Sequence, residues 1–249
     1  MEKFNEDKDF LIYGRKAVLE IINSEGAIDK LFVKKGDKEG TLRVILAKAR
    51  EAGIVITEVP REKLDAMADN GNHQGVIAQT PAHQYADIDA ILAAAHAKNE
   101  PPFILICDKI FDPHNLGAMI RTAEACGVHG VIIPKRRSCG ITPGVIRASA
   151  GAARLVPVAR VSNISQTIET LKRKNIWISN LDSNGDNIYS ANMTGAIAIV
   201  VGNEADGVSR LVRSRSDFSV CIPMMGQISS LNASVAAAVA MYEVLRQRG

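Results

Sequence analysis

Residues 112–123 combine polar side chains with a position where a strand would end and a helix begin. Asn115 and Arg121 stand six residues apart in this segment, which follows the apolar run Phe103–Cys107, a pattern typical of a buried strand. Open α/β sheets bind their ligands at such strand-to-helix turns. Because arginine keeps its charge and offers a planar fork of donors, the segment suits a polar or anionic substrate. A helix cap beside a solvated arginine is the alternative.

Two later segments have the same character. Residues 201–209 hold several glycines and Glu204, the acid nearest to the end of the preceding apolar run. Glu204 could also cap the next helix or pair with the arginine of the first segment. Residues 222–232 hold two serines and Asn232, and one of these could cap the long alanine-rich helix that follows. If the preceding strands are parallel, all three segments lie at one edge of the sheet and can form one site.

The spacing of apolar residues predicts two α/β domains. The first covers residues 1–80, residues 81–99 form a linker that ends before Pro101 and Pro102, and the second covers residues 100–249. In the second domain, strands separated by helices predict a mostly parallel sheet with both faces covered. In the first domain, helices are predicted at 14–23, 41–52 and 61–68, and strands at 28–34, 54–58 and 75–79. In the second domain, strands are predicted at 103–107, 130–133, 155–160, 176–181, 196–201 and 218–222, and helices at 116–126, 143–149, 164–174, 209–213 and 230–247.

Composition limits the class of protein. The chain has 249 residues, of which 47% are hydrophobic, enough for a packed core, and no apolar run is long enough to cross a bilayer. Residues 1–9 mix both signs of charge, unlike a secretory signal. The four cysteines lack CxxC spacing, and no histidine–cysteine cluster has the spacing of a zinc site. We therefore expect no metal, no membrane and a reducing, cytoplasmic setting.

The distribution of charge is more informative than the net charge of +3. No aspartate or glutamate occurs between Glu124 and Glu169. A stretch of one sign is a candidate surface for contacting phosphates, and we favour a nucleic acid over a basic face without a partner. The basic residues of this stretch are Lys135, Arg136, Arg137, Arg147, Arg154 and Arg160.

Several common motifs are missing from the sequence. No GxGxxG follows a predicted strand, so the usual signature of a dinucleotide-binding domain is absent. The sequence also contains no GxxxxGK[ST], the motif of P-loop nucleotide-binding proteins. No GxSxG is present, which argues against an α/β hydrolase.

Taken together and in this order, the three segments resemble the motifs of the SPOUT superfamily of RNA methyltransferases, and within it the TrmH-type 2′-O-ribose methyltransferases. Residues 112–123 are similar to the first motif, 202–209 to the second and 222–243 to the third. Residues 13–15 (Tyr-Gly-Arg) and 72–75 (Asn-His-Gln-Gly) resemble the amino-terminal domain of the RlmB-like subgroup. That subgroup methylates a guanosine ribose in the peptidyl-transferase P loop of 23S rRNA.

The resemblance implies a fold, a cofactor and partners. The catalytic domain would be a parallel sheet with a C-terminal deep trefoil knot, preceded by an L30e-like RNA-binding domain. S-adenosyl-L-methionine would be the cofactor, held at Gly202, Ile222 and Leu231. The protein would be a homodimer, with the helix at 230–247 in its interface. Its partner would be large-subunit rRNA rather than DNA.

The resemblance also implies a catalytic site formed by Asn115, Arg121, Glu204, Ser230 and Asn232. Methyl transfer to a ribose 2′-oxygen needs alignment of the reacting atoms and removal of the hydroxyl proton. Because guanidinium stays protonated, we expect Arg121 to hold the target phosphate and polarise the hydroxyl. Glu204 would orient Arg121 or accept the proton itself. Two alternatives are a tRNA substrate and a non-catalytic ribosome-assembly factor that binds RNA.

Overall fold

The structure, a computed structural model, describes residues 10–24, 28–36, 39–68, 71–80, 84–227 and 230–249. The charged segment 1–9, the first three residues of the predicted linker and one serine of the third segment, Ser229, lie outside the described residues. The chain divides into two compact units, Met1–Ala82 and His83–Gly249.

The first unit is a four-stranded sheet with three helices. In the strand order β1-β4-β2-β3, β2 and β3 are parallel and the other neighbours antiparallel. The predicted elements occur with ends shifted by at most two residues, whereas β1, only three residues long, was too short to show a period. The strands are β1 (Leu11–Tyr13), β2 (Lys30–Lys34), β3 (Val55–Val59) and β4 (Val76–Gln79), and the helices are α1 (Arg15–Asn23), α2 (Thr41–Glu51) and α3 (Arg61–Met67).

The second unit contains a six-stranded sheet in the order β10-β8-β9-β5-β6-β7. Every neighbouring pair is parallel, which confirms the predicted parallel sheet. The carboxyl ends of all these strands therefore lie at one edge. The strands are β5 (Phe103–Cys107), β6 (Gly130–Pro134), β7 (Val158–Val161), β8 (Trp177–Asn187), β9 (Ile197–Val201) and β10 (Phe218–Cys221), and the helices are α4 (Ile88–Ala97), α5 (Pro113–Ala125), α6 (Pro143–Ala148), α7 (Ile164–Arg173), α8 (Arg210–Arg215) and α9 (Ala233–Arg248).

The linker predicted over residues 81–99 is wrong for the part of it that the structure describes. Helix α4 lies there, with Asp87 as its N-cap and with Ile91 and Ala95 fully buried. The alanine-rich run lacks the polar face that marks a surface helix, but alanine is the strongest helix former. The second unit therefore begins before Glu100.

Two strands also differ from their predicted bounds. β8 continues six residues beyond its predicted end at 181, although this extension is polar, because it stays paired with β10 after a register shift between Ser219 and Val220. β7 begins three residues later than predicted, because Ala152–Arg154 form a 3-10 turn and Leu155 is 72% exposed. Alternation of apolar residues could not show either feature.

Helices cover both faces of this sheet, as predicted. On one face, Leu116 of α5 and Met241 of α9 pack in the same cluster as Leu105 of β5. On the other, Ile91 of α4 and Ile168 of α7 form a second cluster with strand residues. Within the described part of the chain, no helix combines the length and hydrophobicity needed to span a membrane.

Helix α5 begins three residues earlier than predicted. Pro113 occupies its first turn, and the Asp112 side chain accepts a hydrogen bond from the N–H of His114 at 3.0 Å. One turn further on, Gly117 lies against α6, and a Cβ added there would lie 2.5 Å from the Cβ of Ala148. The close packing of α5 on α6 therefore requires glycine at position 117.

We expect Gly117→Ala to lower the free energy of unfolding by about 1–2 kcal/mol. Overpacking costs about 1–3 kcal/mol, and a contact of 2.5 Å with a Cβ attached directly to the backbone belongs to the upper half of that range. The gain in helix propensity offsets about 1 kcal/mol of this cost. Gly144→Ala in α6 is the control, because a Cβ there meets neighbours only at 3.5 Å or more. Urea unfolding should show that Gly144→Ala is at least as stable as the wild type. Equal stability of the two variants would contradict the packing argument.

Candidate active site

Three loops meet at the carboxyl edge of the parallel sheet. They follow β5, β9 and β10, and are called the first loop (residues 108–112), the second loop (202–209) and the third loop (222–232, described except for 228–229). The buried carboxylate of Asp108 accepts a hydrogen bond from the Ser209 N–H at 2.7 Å. The Asp108 N–H donates to the carbonyl of Val201 at 2.8 Å. Asp108 therefore fixes the second loop to the first.

The sequence analysis did not identify Asp108. The sequence did contain a sign of its role, because Asp108 directly follows the last residue of a buried strand. A carboxylate can remain buried at such a position only with hydrogen-bond donors around it.

A second set of hydrogen bonds, apart from those of Asp108, joins residues of the three predicted segments in one polar cluster. Glu204 Oε1 accepts hydrogen bonds from Asn115 Nδ2 at 2.6 Å, from Asn232 Nδ2 at 3.1 Å and from the Ala233 N–H at 3.4 Å. Asn232 Nδ2 also donates to Asn115 Oδ1 at 3.0 Å. We call Asn115, Glu204 and Asn232 the amide–carboxylate cluster. It brings together residues from all three predicted segments.

The orientation of Asn232 follows from its second role. Its Oδ1 accepts hydrogen bonds from the N–H and Oγ of Ser234, at 2.9 and 2.6 Å, and from the N–H of Val235 at 3.4 Å. Asn232 is therefore the N-cap of α9, and its amide nitrogen must point toward Glu204. The helix begins at Ala233 rather than at the predicted residue 230, so Ser230 does not cap it.

The second and third loops enclose a cavity of about 610 Å³. Gly202, Ile222 and Leu231 line it, and Ser230 and Glu204 lie at its wall. Apolar strand ends supply part of the remaining lining. The polar part includes an ion pair of 2.8 Å between Arg213 and Asp182. The volume is within the usual range for small-molecule sites.

Gly202 is the tightest point of this cavity. A Cβ at position 202 would lie 2.0 Å from the carbonyl carbon of Gly207, because the second loop folds back on itself. The Gly207 N–H donates to the carbonyl of Asn203 at 3.0 Å and closes the loop. Main-chain groups therefore approach the cavity closely at Gly202, where any side chain would force the loop open.

Arg121 lies apart from the cluster. It is exposed on α5, and six residues of helix turn it about 120° away from Asn115. Its side chain makes no hydrogen bond or ion pair with any residue that the structure describes. The predicted contact with Glu204 is therefore wrong within one chain, where Glu204 bonds the two asparagines instead.

Comparisons with known proteins agree with this geometry. The model of the SpoU rRNA methylase family matches residues 102–242, and a model for RNA 2′-O-ribose methyltransferase substrate binding matches residues 11–86. The chain belongs to the SpoU/TrmH family of RNA methyltransferases. A protein of Bacillus subtilis named as a TrmH family tRNA/rRNA methyltransferase is 44% identical to this chain over 98% of both chains. A protein of the same name from Staphylococcus aureus is 45% identical to this chain over 97% of both chains.

Solved structures show the same fold. One is the SpoU methyltransferase AviRb from Streptomyces viridochromogenes in complex with AdoMet. The alignment covers 99% of this chain and 94% of the AviRb chain, with a TM-score of 0.60 and 24% sequence identity. An RNA 2′-O-ribose methyltransferase covers 96% of this chain and 88% of its own, with a TM-score of 0.56 and 28% identity. S-adenosylmethionine is the methyl donor of the family. Among the described residues, no group of three histidines, cysteines or acids could hold a metal ion.

We expect Gly202→Ala to lower the midpoint of thermal unfolding by several degrees, because the new Cβ would meet backbone atoms that cannot move away. Gly226→Ala in the third loop is the matched control, since a Cβ there has no neighbour within 4 Å. Calorimetry on both variants checks this, and an unchanged midpoint for Gly202→Ala would contradict the described closure of the second loop.

Proposed function

We propose that this protein transfers a methyl group from S-adenosylmethionine to the 2′-hydroxyl of a guanosine ribose in the peptidyl-transferase P loop of 23S rRNA. The observation that carries the proposal is the amide–carboxylate cluster, whose Glu204 lines the cavity. Membership of the family and the match of residues 11–86 to a substrate-binding model support it.

The cavity of the second and third loops fits the cofactor. Gly202 would provide main-chain groups, Ile222 and Leu231 apolar contact, and Ser230 a hydroxyl in the lining. When bound there, S-adenosylmethionine supplies a methyl group on a positively charged sulfur. The deep trefoil knot that the family resemblance implies involves these same two loops and remains a prediction.

Glu204 is the proposed proton acceptor. Its Oε1 is held by three neutral donors, whereas its Oε2 makes no hydrogen bond with any described residue. The residue is exposed, so Oε2 is open to a ribose hydroxyl. Asn115 and Asn232 fix the carboxylate, and through it the direction in which the proton leaves.

Arg121 acts through the proposed homodimer. Because it makes no hydrogen bond or ion pair with the cluster of its own chain, we assign it to hold the phosphate of an RNA bound at the cluster of the second copy. Helix α9, the predicted interface, leaves Val235, Tyr242 and Leu245 at least 40% exposed. These apolar side chains are consistent with burial against a second copy.

The first unit would position the RNA, as a module of the L30e type. Tyr13 is exposed, and the loop at 71–75 fixes the neighbouring Arg15. The Arg15 N–H donates to Gln74 Oε1 at 3.0 Å and its Nε to the Gln74 carbonyl at 3.1 Å. The terminal guanidinium nitrogens make no hydrogen bond with described residues and can meet a phosphate, while the Tyr13 ring can stack on an unpaired base.

A tRNA substrate is the second candidate, because the names of the relatives include both tRNA and rRNA. Incorporation of labelled methyl groups into tRNA and into protein-free 23S rRNA distinguishes them. Mapping of 2′-O-methyl positions in cells with and without the gene identifies the nucleotide. We propose a cytoplasmic reaction, consistent with four cysteines that remain free thiols.

We expect Glu204→Gln to lower kcat by about 10²–10⁴-fold, the usual worth of a positioned base, while the fold is retained. The amide oxygen can still accept the three hydrogen bonds, but the side chain can no longer take a proton. Glu124→Gln on the exposed side of α5 is the control. Single-turnover methylation and thermal unfolding measure the two effects, and full activity of Glu204→Gln would reject the assignment.

We expect Arg121→Ala to abolish methyl transfer and leave binding of S-adenosylmethionine within about twofold of the wild type, because Arg121 does not line the cavity. Arg173→Ala, an exposed arginine of α7, should behave as the wild type. Calorimetric titration and methyl incorporation give the two readouts. Normal transfer by Arg121→Ala would remove this residue from the site.

A further inference from the structure

Three consecutive cations follow β6 at the edge of the sheet that carries the site. Lys135, Arg136 and Arg137, called the basic loop, begin directly after the last residue of β6. β6 pairs with β5, whose carboxyl end leads into the first loop. Neighbouring strands lie about 4.8 Å apart, so the basic loop leaves the sheet beside the loop that leads to Asn115.

Hydrogen bonds attach the two residues that directly follow the basic loop to the first loop. Ser138 Oγ and the Cys139 N–H both donate to the carbonyl of Ile110, at 3.0 and 2.7 Å. Ile110 is buried and precedes Asn115 by five residues. The next turn is held in the same way, because the Ile141 N–H donates to the Tyr85 hydroxyl at 2.8 Å. The chain that carries the three cations is therefore tied to the loop that leads to Asn115.

The charges of the basic loop are not neutralised within the described chain. All three side chains are exposed, and none makes a hydrogen bond or ion pair with a described residue. Two other cations of the unit are paired instead: Lys172 with Asp217 at 2.6 Å, and Arg215 with Glu169 at 2.6 Å.

The two carboxylates of the first loop, which follows the neighbouring strand β5, are engaged elsewhere. Asp108 bonds Ser209, and Asp112 caps α5. The basic loop, which belongs to the acid-free stretch found in the sequence, thus carries three exposed positive charges at the edge of the sheet that holds the site. Its backbone is also held in an unusual conformation, because Arg137 has φ +57°, which turns the chain sharply at this residue.

We propose that the basic loop binds the phosphate backbone of the substrate RNA strand beside the target ribose. The inference rests on the proposed function, and it assigns the residues that hold the strand next to the reacting nucleotide. Three fixed, unpaired cations suit a repeating anion, and arginine can bind phosphate oxygens in pairs. Phosphate contacts position a strand without reading its sequence, so the selection of the nucleotide stays with other residues.

The test compares two variants that lose the same charge. Lys135→Ala/Arg136→Ala/Arg137→Ala removes the basic loop. The control, Lys98→Ala/Arg173→Ala/Lys174→Ala, removes three cations from the carboxyl ends of α4 and α7, which precede β5 and β8 and so lie at the opposite edge of the sheet. Both variants lower the net charge of +3 by three units, so nonspecific attraction to RNA falls equally.

Binding of a 23S rRNA fragment that spans the peptidyl-transferase loop is measured as a function of salt. Each lost phosphate contact reduces the slope of log K against log salt by about 0.7 for a single strand. We expect a reduction of about 2 for the basic-loop variant, a rise in KM for the RNA of at least about tenfold, and unchanged binding of S-adenosylmethionine. The control should keep the wild-type slope.

A charge-preserving variant separates charge from structure. Arg136→Lys/Arg137→Lys should retain the wild-type salt slope, because the number of cations is unchanged. A loss of slope in this variant, or equal slopes for the alanine and control variants, would overturn the inference even if the wild type methylates the fragment. If the wild type binds the fragment but methylates no RNA, the proposed function fails, and the salt slopes still decide whether the basic loop binds phosphate.

Discussion

The site depends on one oxygen atom, Glu204 Oε1. It accepts hydrogen bonds from a side chain of α5, from a side chain of the third loop and from the backbone where α9 begins. These groups are far apart in sequence, with 89 positions between Asn115 and Glu204 and 117 between Asn115 and Asn232. A carboxylate suits this place because hydrogen bonds to an ionised acceptor are stronger than those between neutral groups. The amino end of a helix also favours negative charge.

The cluster is supported by places where the backbone packs closely because a residue has no side chain. Gly117 lets α5 approach α6, and Gly202 lets the second loop fold onto itself. Below them, Asp108 fixes the second loop to the end of β5. Because interiors are close-packed, small shifts at these points would move whole loops. The cluster can therefore be exposed to solvent and yet have one defined geometry.

The sequence predicted that the three segments meet, because the ends of parallel strands lie at one edge of the sheet, and the family resemblance named Asn115, Glu204 and Asn232 among the residues of one site. The place of Arg121 was not predicted, because the helix was expected to begin at residue 116. Asn115 was therefore not expected to lie on the same helix as Arg121, whereas α5 begins at Pro113 and contains both. Helix α4 was missed for a different reason, because an alanine-rich run with almost no polar face resembles a turn. The long β8 depends on pairing with a strand that follows much later in the chain.

The site keeps the groups that orient Glu204 apart from its exposed positive charges. The three donors to Glu204 are two amides and a backbone N–H, all neutral, and they fix the direction of the carboxylate. The positive charge that an RNA strand needs lies instead on the loop after β6, which is fixed to the first loop through Ile110. Under the proposed function, one edge of the sheet can thus attract a polyanion and keep a proton acceptor within the same site.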